Sequence, residues 1–463
     1  MAGIGFELRK YLNDDSFTGS LKAYGFAGLI SAGPWVLSIL GVMLIGIVAL
    51  SQNMGGESIK QFTTSVTWIM GASLVLTGLL QLVFTRFVAD RLFEKQDHIV
   101  NGNLLGAIAL TTVVSAVIAI ALVFTVFEEP FAYEFLMTAN FVTLSNIWIV
   151  VIFVAGLKQF KLILVAFAAG YGTTLVLSVL LLPFGLTGLL AGLLLGHAVL
   201  FFLMVGVVLP EYPFSGQVRF EFLRPQLVFP SLIAIGFLYN FGIWVDKLLF
   251  WITPATSEAV IGPLRSSLIY DLPIFLAYLS IIPGMAVFLL RIETDFAESY
   301  DGFFGAVRGN ASLQEIEQLG NNMVVAVREG LNQIVRVQGA TILVLYLLGP
   351  TLVSWLGISE QYVHLYYINL VGVGAQVLML AVLNVLFYLD KLRYALVLTG
   401  ILCTTNALFT AVTLQMGPQY YGYGFGLSMT LSAFAGVILL SREMDNIEYR
   451  TFMRPRQTAG AVL

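Results

Sequence analysis

Apolar runs of about 20 residues, the length that crosses a bilayer as a helix, recur along this chain between short polar connections. Reading windows of that length predicts spans at 22–50, 62–85, 103–127, 138–157, 161–182 and 186–209. A second set follows at 227–252, 267–290, 337–356, 362–388, 394–416 and 421–441. The first run is too long for a signal h-region and lacks a small-residue cleavage site, so it counts as a span. The polar connection after Leu209 divides the twelve spans into two sixes. The expected organisation is an N-terminal segment 1–21, a six-helix half 22–209, a linker 210–226, a six-helix half 227–441 and a tail 442–463. The fold class is an all-α polytopic membrane protein.

The halves also look repeated. The offset that carries the start of the first span, Lys22, onto the start of the seventh, Leu227, carries Arg86 onto Arg291 and Asp90 onto Asp295. An R-x-x-x-D motif therefore closes the second span of each half. Parallel repeats about an axis along the membrane normal place a substrate path between the halves.

Composition and charge sharpen this. With 58% hydrophobic and 11% charged residues and a mean hydropathy of +0.90, the chain departs from soluble usage, in which about a quarter of residues are charged. Of the 23 lysines and arginines, all but Lys60, Lys247 and Arg265 fall in the termini and one alternating set of connections. By the positive-inside rule that set is cytoplasmic, with both termini inside. The outer connections then lie near Lys60, Glu128, Pro254, Glu360 and Pro418. Cys403, the single cysteine, supports neither an internal disulfide nor a thiolate metal cluster. No G-x-x-x-x-G-K-[ST] loop or H-E-x-x-H helix is present, and His98, His197 and His364 are scattered over a loop, a span and an outer connection. No catalytic residue, metal site or cofactor is expected, and the chain does not read as an enzyme.

The longest connection, 293–338, contains Ser312 and Glu315 as a capping box, followed by Leu313, Ile316, Met323, Val327, Leu331 and Ile334 at helical spacing. This predicts a cytoplasmic amphipathic helix lying on the membrane or against a partner. Leu313, Ile316 and Leu331 are the candidate docking residues, and a helix that only shields the next span is the alternative.

Charges inside spans single out the candidate site. A charge at the centre of a span costs about 2.5–3.5 kcal/mol on insertion scales, so Asp246, Lys247 and Asp271 require partners, water or a role. Neighbours on a helix point about 100° apart, so Asp246 and Lys247 are expected to look elsewhere: Lys247 to Asp271 and Asp246 to Arg265, or each to a partner on another helix. A salt bridge pinning two helices is one reading; a hydrated lining of a translocation path is the other. Asn240, Trp244 and Lys247 share a face, and an amide, an indole and a cation suit sugar hydroxyls and ring faces as well as ordinary helix packing. His197, mid-span, is either bonded to a neighbouring helix or a proton-coupling group. Pro34 and Pro283 each remove a helix hydrogen bond and predict bends in spans one and eight. Tyr420, Tyr421 and Tyr423 read as an interfacial aromatic belt.

The strings MAGIGFELRK, NFGIWVDKLLFW and YDLPIFLAYLSIIPGMAVFLLRIETDFAE resemble the Pel exopolysaccharide exporters, a family of the flippase superfamily that also contains multidrug extruders and lipid-linked oligosaccharide flippases. The resemblance implies two six-helix lobes around a central cavity and a partly deacetylated, cationic, N-acetylgalactosamine-rich polymer as cargo. It further implies a bacterial inner-membrane complex with PelD, PelE and the cytosolic glycosyltransferase PelF, used in making a biofilm exopolysaccharide. Polysaccharide transport is the leading expectation. A non-transporting scaffold for a cytosolic glycosyltransferase and a cation-coupled exporter of small compounds are the alternatives.

Overall fold

A computed structural model describes residues 17–52, 55–154, 160–213, 216–355, 362–447 and 451–452. The string MAGIGFELRK, most of the expected segment 1–21 and the end of the tail lie outside them. Fourteen α-helices carry the described chain: α1 (Phe17–Ser51), α2 (Gly56–Phe93), α3 (Val100–Val126), α4 (Phe131–Val154), α5 (Phe160–Leu180), α6 (Gly185–Val208), α7 (Pro230–Ile252), α8 (Leu268–Tyr278), α9 (Ile281–Leu290), α10 (Ala297–Arg308), α11 (Leu313–Trp355), α12 (Val363–Tyr388), α13 (Leu392–Met416) and α14 (Tyr423–Met444). Each of the twelve expected spans falls on one of these helices, with span eight split over α8 and α9. Among the described residues ten helical segments are long and apolar enough to cross a membrane, and the bent α7 makes up to eleven. The protein is a multi-pass membrane protein.

The chain packs as two compact units. Of the described residues, one holds those from Gly33 to Asp271; the other joins those up to Ala32 to those from Leu272 onward. These limits differ from the expected linker at 210–226, because α7 belongs to the first unit. It crosses α2 where the backbones of Gly78 and Gly236 touch, so closely that a Cβ on Gly236 would collide with the Gly78 carbonyl. Small residues permit such approach in membranes, where dispersion and hydrogen bonding rather than water exclusion hold helices together.

Within the first unit, the connections expected on one side of the membrane meet each other. At one end Lys60 pairs with Glu258 at 2.6 Å, and Gly262 lies against Phe127. At the other, the Arg219 N–H donates to Gly102 O at 2.9 Å, and Asn101 donates to the carbonyls of Leu209 and Tyr212. A two-stranded antiparallel hairpin, β1 (Glu258–Ile261) and β2 (Leu264–Ser266), closes the first of these ends. The sequence reading missed it, although S-E-A-V-I-G-P-L-R-S carries the G-P turn signal.

In the second unit the expected bend of span eight is a break, placed at Leu279–Ser280 rather than at Pro283. A proline ring clashes with the carbonyl four residues earlier, which here is Leu279. Gln338 of α11 donates to the Ser280 carbonyl at 3.0 Å, so a neighbouring helix satisfies an acceptor at the break, as a membrane interior requires. A π-helical turn, Arg291–Phe296, then links α9 to α10.

The amphipathic segment does not lie flat as a separate helix. It is the first half of α11, whose 43 residues extend about 65 Å at about 1.5 Å per residue, against a hydrocarbon core of about 30 Å. Ser312 does accept the Glu315 N–H, at 3.3 Å. The apolar stripe faces inward: Ile316, Met323, Val327 and Ile334 are buried with Gly320 and Gly330 between them, and α11 packs on α10 and the π turn. Ile316, expected to dock a partner, is 6% exposed, whereas Leu313 is 66% exposed and Leu331 is half-buried.

Both R-x-x-x-D motifs form one-turn ion pairs, Arg86 with Asp90 at 3.0 Å in the first unit and Arg291 with Asp295 at 2.7 Å in the second. The four residues of the repeat thus form an ion pair in each unit, on the α-helix α2 in the first and on the π turn in the second.

Candidate functional site

The charged residues singled out in the sequence all lie in the first unit, on α7, the hairpin and the start of α8. Helix α7 bends by 48° between Pro230–Gly242 and Val245–Ile252, immediately before Asp246 and Lys247. The Lys247 side chain folds back along the helix and donates to the Ile243 carbonyl at 2.9 Å and to both Asp246 oxygens at 3.0 and 3.2 Å. Tyr270 of α8 donates to Asp246 Oδ2 at 2.6 Å, and its ring stacks on Phe250 with centroids 3.9 Å apart. Asp246 is 0% and Lys247 1% exposed. The expectation that each of these neighbours looks to a partner elsewhere is corrected: they pair with each other. The 100° rule concerns Cα–Cβ directions, and a four-carbon arm has the reach to close that angle.

The other two predicted partners have separate employment. Asp271 accepts from Trp251 Nε1 at 2.9 and 3.1 Å and from the Ser267 N–H at 3.0 Å. It thereby satisfies an N–H at the start of α8, the role of a first-turn acid. Arg265 donates to the Trp251 carbonyl at 3.2 Å and to the Ser257 hydroxyl and carbonyl at 2.9 Å each. It ties the hairpin to the C-terminal end of α7, where a cation opposes the negative end of the helix dipole. Neither an Asp271–Lys247 nor an Asp246–Arg265 ion pair forms among the described residues.

Asn240 and Trp244 share their face with Lys247, but that face is turned into the unit. Asn240 donates to the Gly236 carbonyl at 2.9 Å and abuts Gly78, while the Trp244 ring lies against Gly71. Trp244 is 2% exposed, and Lys247 Nζ stands 5.9 Å from its ring centroid. Trp68, Trp251 and Trp244 form an aromatic ladder with centroid spacings of 4.7 and 6.0 Å, and Trp68 Nε1 donates to the Arg265 carbonyl at 2.8 Å. Tyr270, Trp251 and Trp68 are neighbours of the candidate residues that sequence reasoning missed; Tyr270 adjoins a singled-out acid, and that adjacency was the available signal.

His197 stands apart from this cluster on α6. It is 3% exposed, and neither ring nitrogen has a hydrogen-bond partner among the described residues. It lines a small cavity with Ser38, Tyr171 and Thr174, where Ser38 Oγ and Tyr171 OH are 2.6 Å apart. The described residues contain no group of three or more His, Cys, Asp or Glu side chains suited to a metal ion.

No curated protein matches the sequence. Among solved structures, an outward-facing MATE-family multidrug resistance transporter of the MOP superfamily is 13% identical with a TM-score of 0.69, covering 92% of this chain and 96% of that one. A MATE transporter in its bent conformation is 12% identical with a TM-score of 0.66, covering 94% and 97%. A MOP-superfamily transporter from Pyrococcus furiosus gives 12% and 0.66, covering 92% and 96%. At these identities the likeness is one of fold, and the fold is that of MATE/MOP transporters. The model of one protein family, described as "PelG: Putative exopolysaccharide Exporter (EPS-E)", matches residues 1–452, and the chain belongs to that family.

Proposed function

We propose that this protein carries an exopolysaccharide across the bacterial inner membrane as the transmembrane member of a Pel-type synthase–transport complex, with both termini cytoplasmic and with PelD, PelE and the glycosyltransferase PelF as partners. The observation that carries this reading is the family match over nearly the whole chain, and the transporter fold accords with it. A cation-coupled exporter built on Asp246 fits less well, because that carboxylate is fully buried and already holds Lys247 and Tyr270. Of the predicted path residues, Arg265 and Asp271 are half-buried rather than sealed, and they are the ones we retain as polymer-facing. Asp246, Lys247, Asn240 and Trp244 act as their frame.

Cells producing the polymer provide the test. With this chain deleted, membranes should still polymerise sugar while secretion falls to background, and restoring the chain should restore secretion. Secretion that persists without the chain would refute transport. Loss of polymerisation itself would instead support the scaffold reading, which the long α11 keeps in view because its polar half extends well beyond a membrane core.

A further inference from the structure

The connection after α6 is more than a linker. Phe222 is fully buried against Phe84 and Phe87 of α2, with ring centroids at 5.2 and 6.3 Å. The Glu221 N–H donates to Asn103 Oδ1 at 2.7 Å, and the Arg219 N–H donates to Gly102 O at 2.9 Å. Gly102 and Gly106 leave room for this backbone; a Cβ at Gly106 would collide with the Arg219 carbonyl. The segment is therefore clamped across the first two turns of α3, at the boundary where that helix passes from polar to apolar sequence.

What this clamp presents outward is unusual for a polar connection. Val218, Phe220 and Leu223 are 53%, 46% and 47% exposed. Between them, Arg219 and Arg224 both lean on one carboxylate oxygen of Glu221, at 3.3 and 3.9 Å, which gathers two guanidinium groups with one net positive charge. Gln217, Arg219, Phe220, Glu221 and Arg224 line a shallow open concavity of about 390 Å³. Guanidinium forks match phosphate oxygens bidentately, and apolar side chains at this depth enter the boundary between headgroups and acyl chains. We infer that residues 217–224 form a binding site for the headgroup of an anionic phospholipid, with the arginines on the phosphate and Val218, Phe220 and Leu223 among the upper acyl carbons. A lipid rather than a soluble phosphate is the occupant, because the same segment offers both chemistries side by side and packs on the first turns of an apolar, span-length helix.

The test is lipid titration of the purified full-length protein, read by native mass spectrometry with phosphatidylglycerol and phosphatidylcholine in parallel. The unaltered protein should bind phosphatidylglycerol about fivefold more tightly, the effect of one net basic charge at an anionic surface. Arg219→Gln with Arg224→Gln should abolish that preference, whereas Val218→Ser with Phe220→Ser should weaken both lipids alike and leave the preference. Gel filtration confirms that each variant is folded, and Phe222 is untouched in all of them. Inorganic phosphate at millimolar concentration should not displace the lipid; full displacement would make the site one for a soluble anion and overturn the assignment. Equal binding of the two lipids by the unaltered protein would also overturn it and leave the surface to a protein partner. A preference retained in the double arginine variant would do the same for the named residues.

Discussion

The Asp246–Lys247–Tyr270 cluster makes a quantitative demand on the first unit. Lys247→Met removes from a fully buried carboxylate the ammonium that contacts it at 3.0 Å, and Asp246→Asn replaces that carboxylate by a neutral amide beside the buried ammonium. Breaking one side of a buried pair costs about 3–5 kcal/mol, because the remaining charge stays desolvated, whereas replacing both charges by groups of similar shape is often close to neutral. In the double variant the introduced amide still offers an oxygen to the Tyr270 hydroxyl, and the introduced thioether chain refills the volume of the lysine arm. Stability should therefore return to within about 1 kcal/mol of the starting protein. Tyr270→Phe removes a hydrogen bond to a charged group and should cost about 1.5–3 kcal/mol. The measurement is thermal and denaturant stability of protein in nanodiscs, with insertion level and secreted polymer per inserted molecule read alongside. The frame role predicts that export follows stability and recovers in the double variant. Additive losses, with the double variant as poor as the sum of the singles, would refute the pairing. A stable double variant without export would place these charges on the polymer path after all.

Gly236→Ala should disrupt the α2–α7 crossing, since its Cβ meets the Gly78 backbone; inserted protein should fall severalfold in gel-filtration yield, while Gly25→Ala, with nothing near its Cβ, should not alter it. Ile316→Ser empties a packed position between α11 and α10 and should cost about 2–4 kcal/mol. Leu313→Ser should leave stability within about 0.5 kcal/mol and weaken association with the cytosolic synthase if α11 docks it, which co-purification measures. On the proton-coupling reading of His197, His197→Gln should flatten the dependence of export on an imposed pH gradient, whereas a packing role predicts lower stability with that dependence intact.

How much was legible differs between the scaffold and the charges. Span positions were legible because apolar length is set by the bilayer and needs no partner to read. The break in span eight was also written in the chain at Pro283, but its position required the rule that the clash falls four residues upstream. The pairing of Asp246 with Lys247 was not legible. Backbone direction suggested divergence, and only the conformation of a long side chain beside a 48° bend shows the two meeting. Burial of the Asn240–Trp244 face was equally hidden, since an apolar span gives no periodic signal separating lipid, protein and polar path. Gly71, Gly78 and Gly236, whose missing Cβ atoms admit that face, were visible only as three of 44 glycines.

The segment 293–338 shows how a correct local reading can still miss the architecture. The Ser312 cap of the Glu315 N–H, the helical spacing and the amphipathic stripe are all present, yet a helix whose apolar side faces a lipid surface and one whose apolar side faces another helix have the same sequence pattern. Spacing separates the two. Positions 316, 320, 323, 327, 330 and 334 alternate steps of four and three, the narrow seam by which one helix packs against another, whereas a surface-lying helix needs a broader apolar face. Glycine at two of the six positions points the same way: it adds nothing to burial in lipid, but Gly330 receives the Ile292 side chain from the π turn so closely that a Cβ there would have to displace its terminal methyl. The polar residues of α11 are therefore the outward face of a packed helical pair, and any cytosolic partner of this region meets amides and carboxylates such as Gln314, Glu317 and Asn321 rather than the buried stripe.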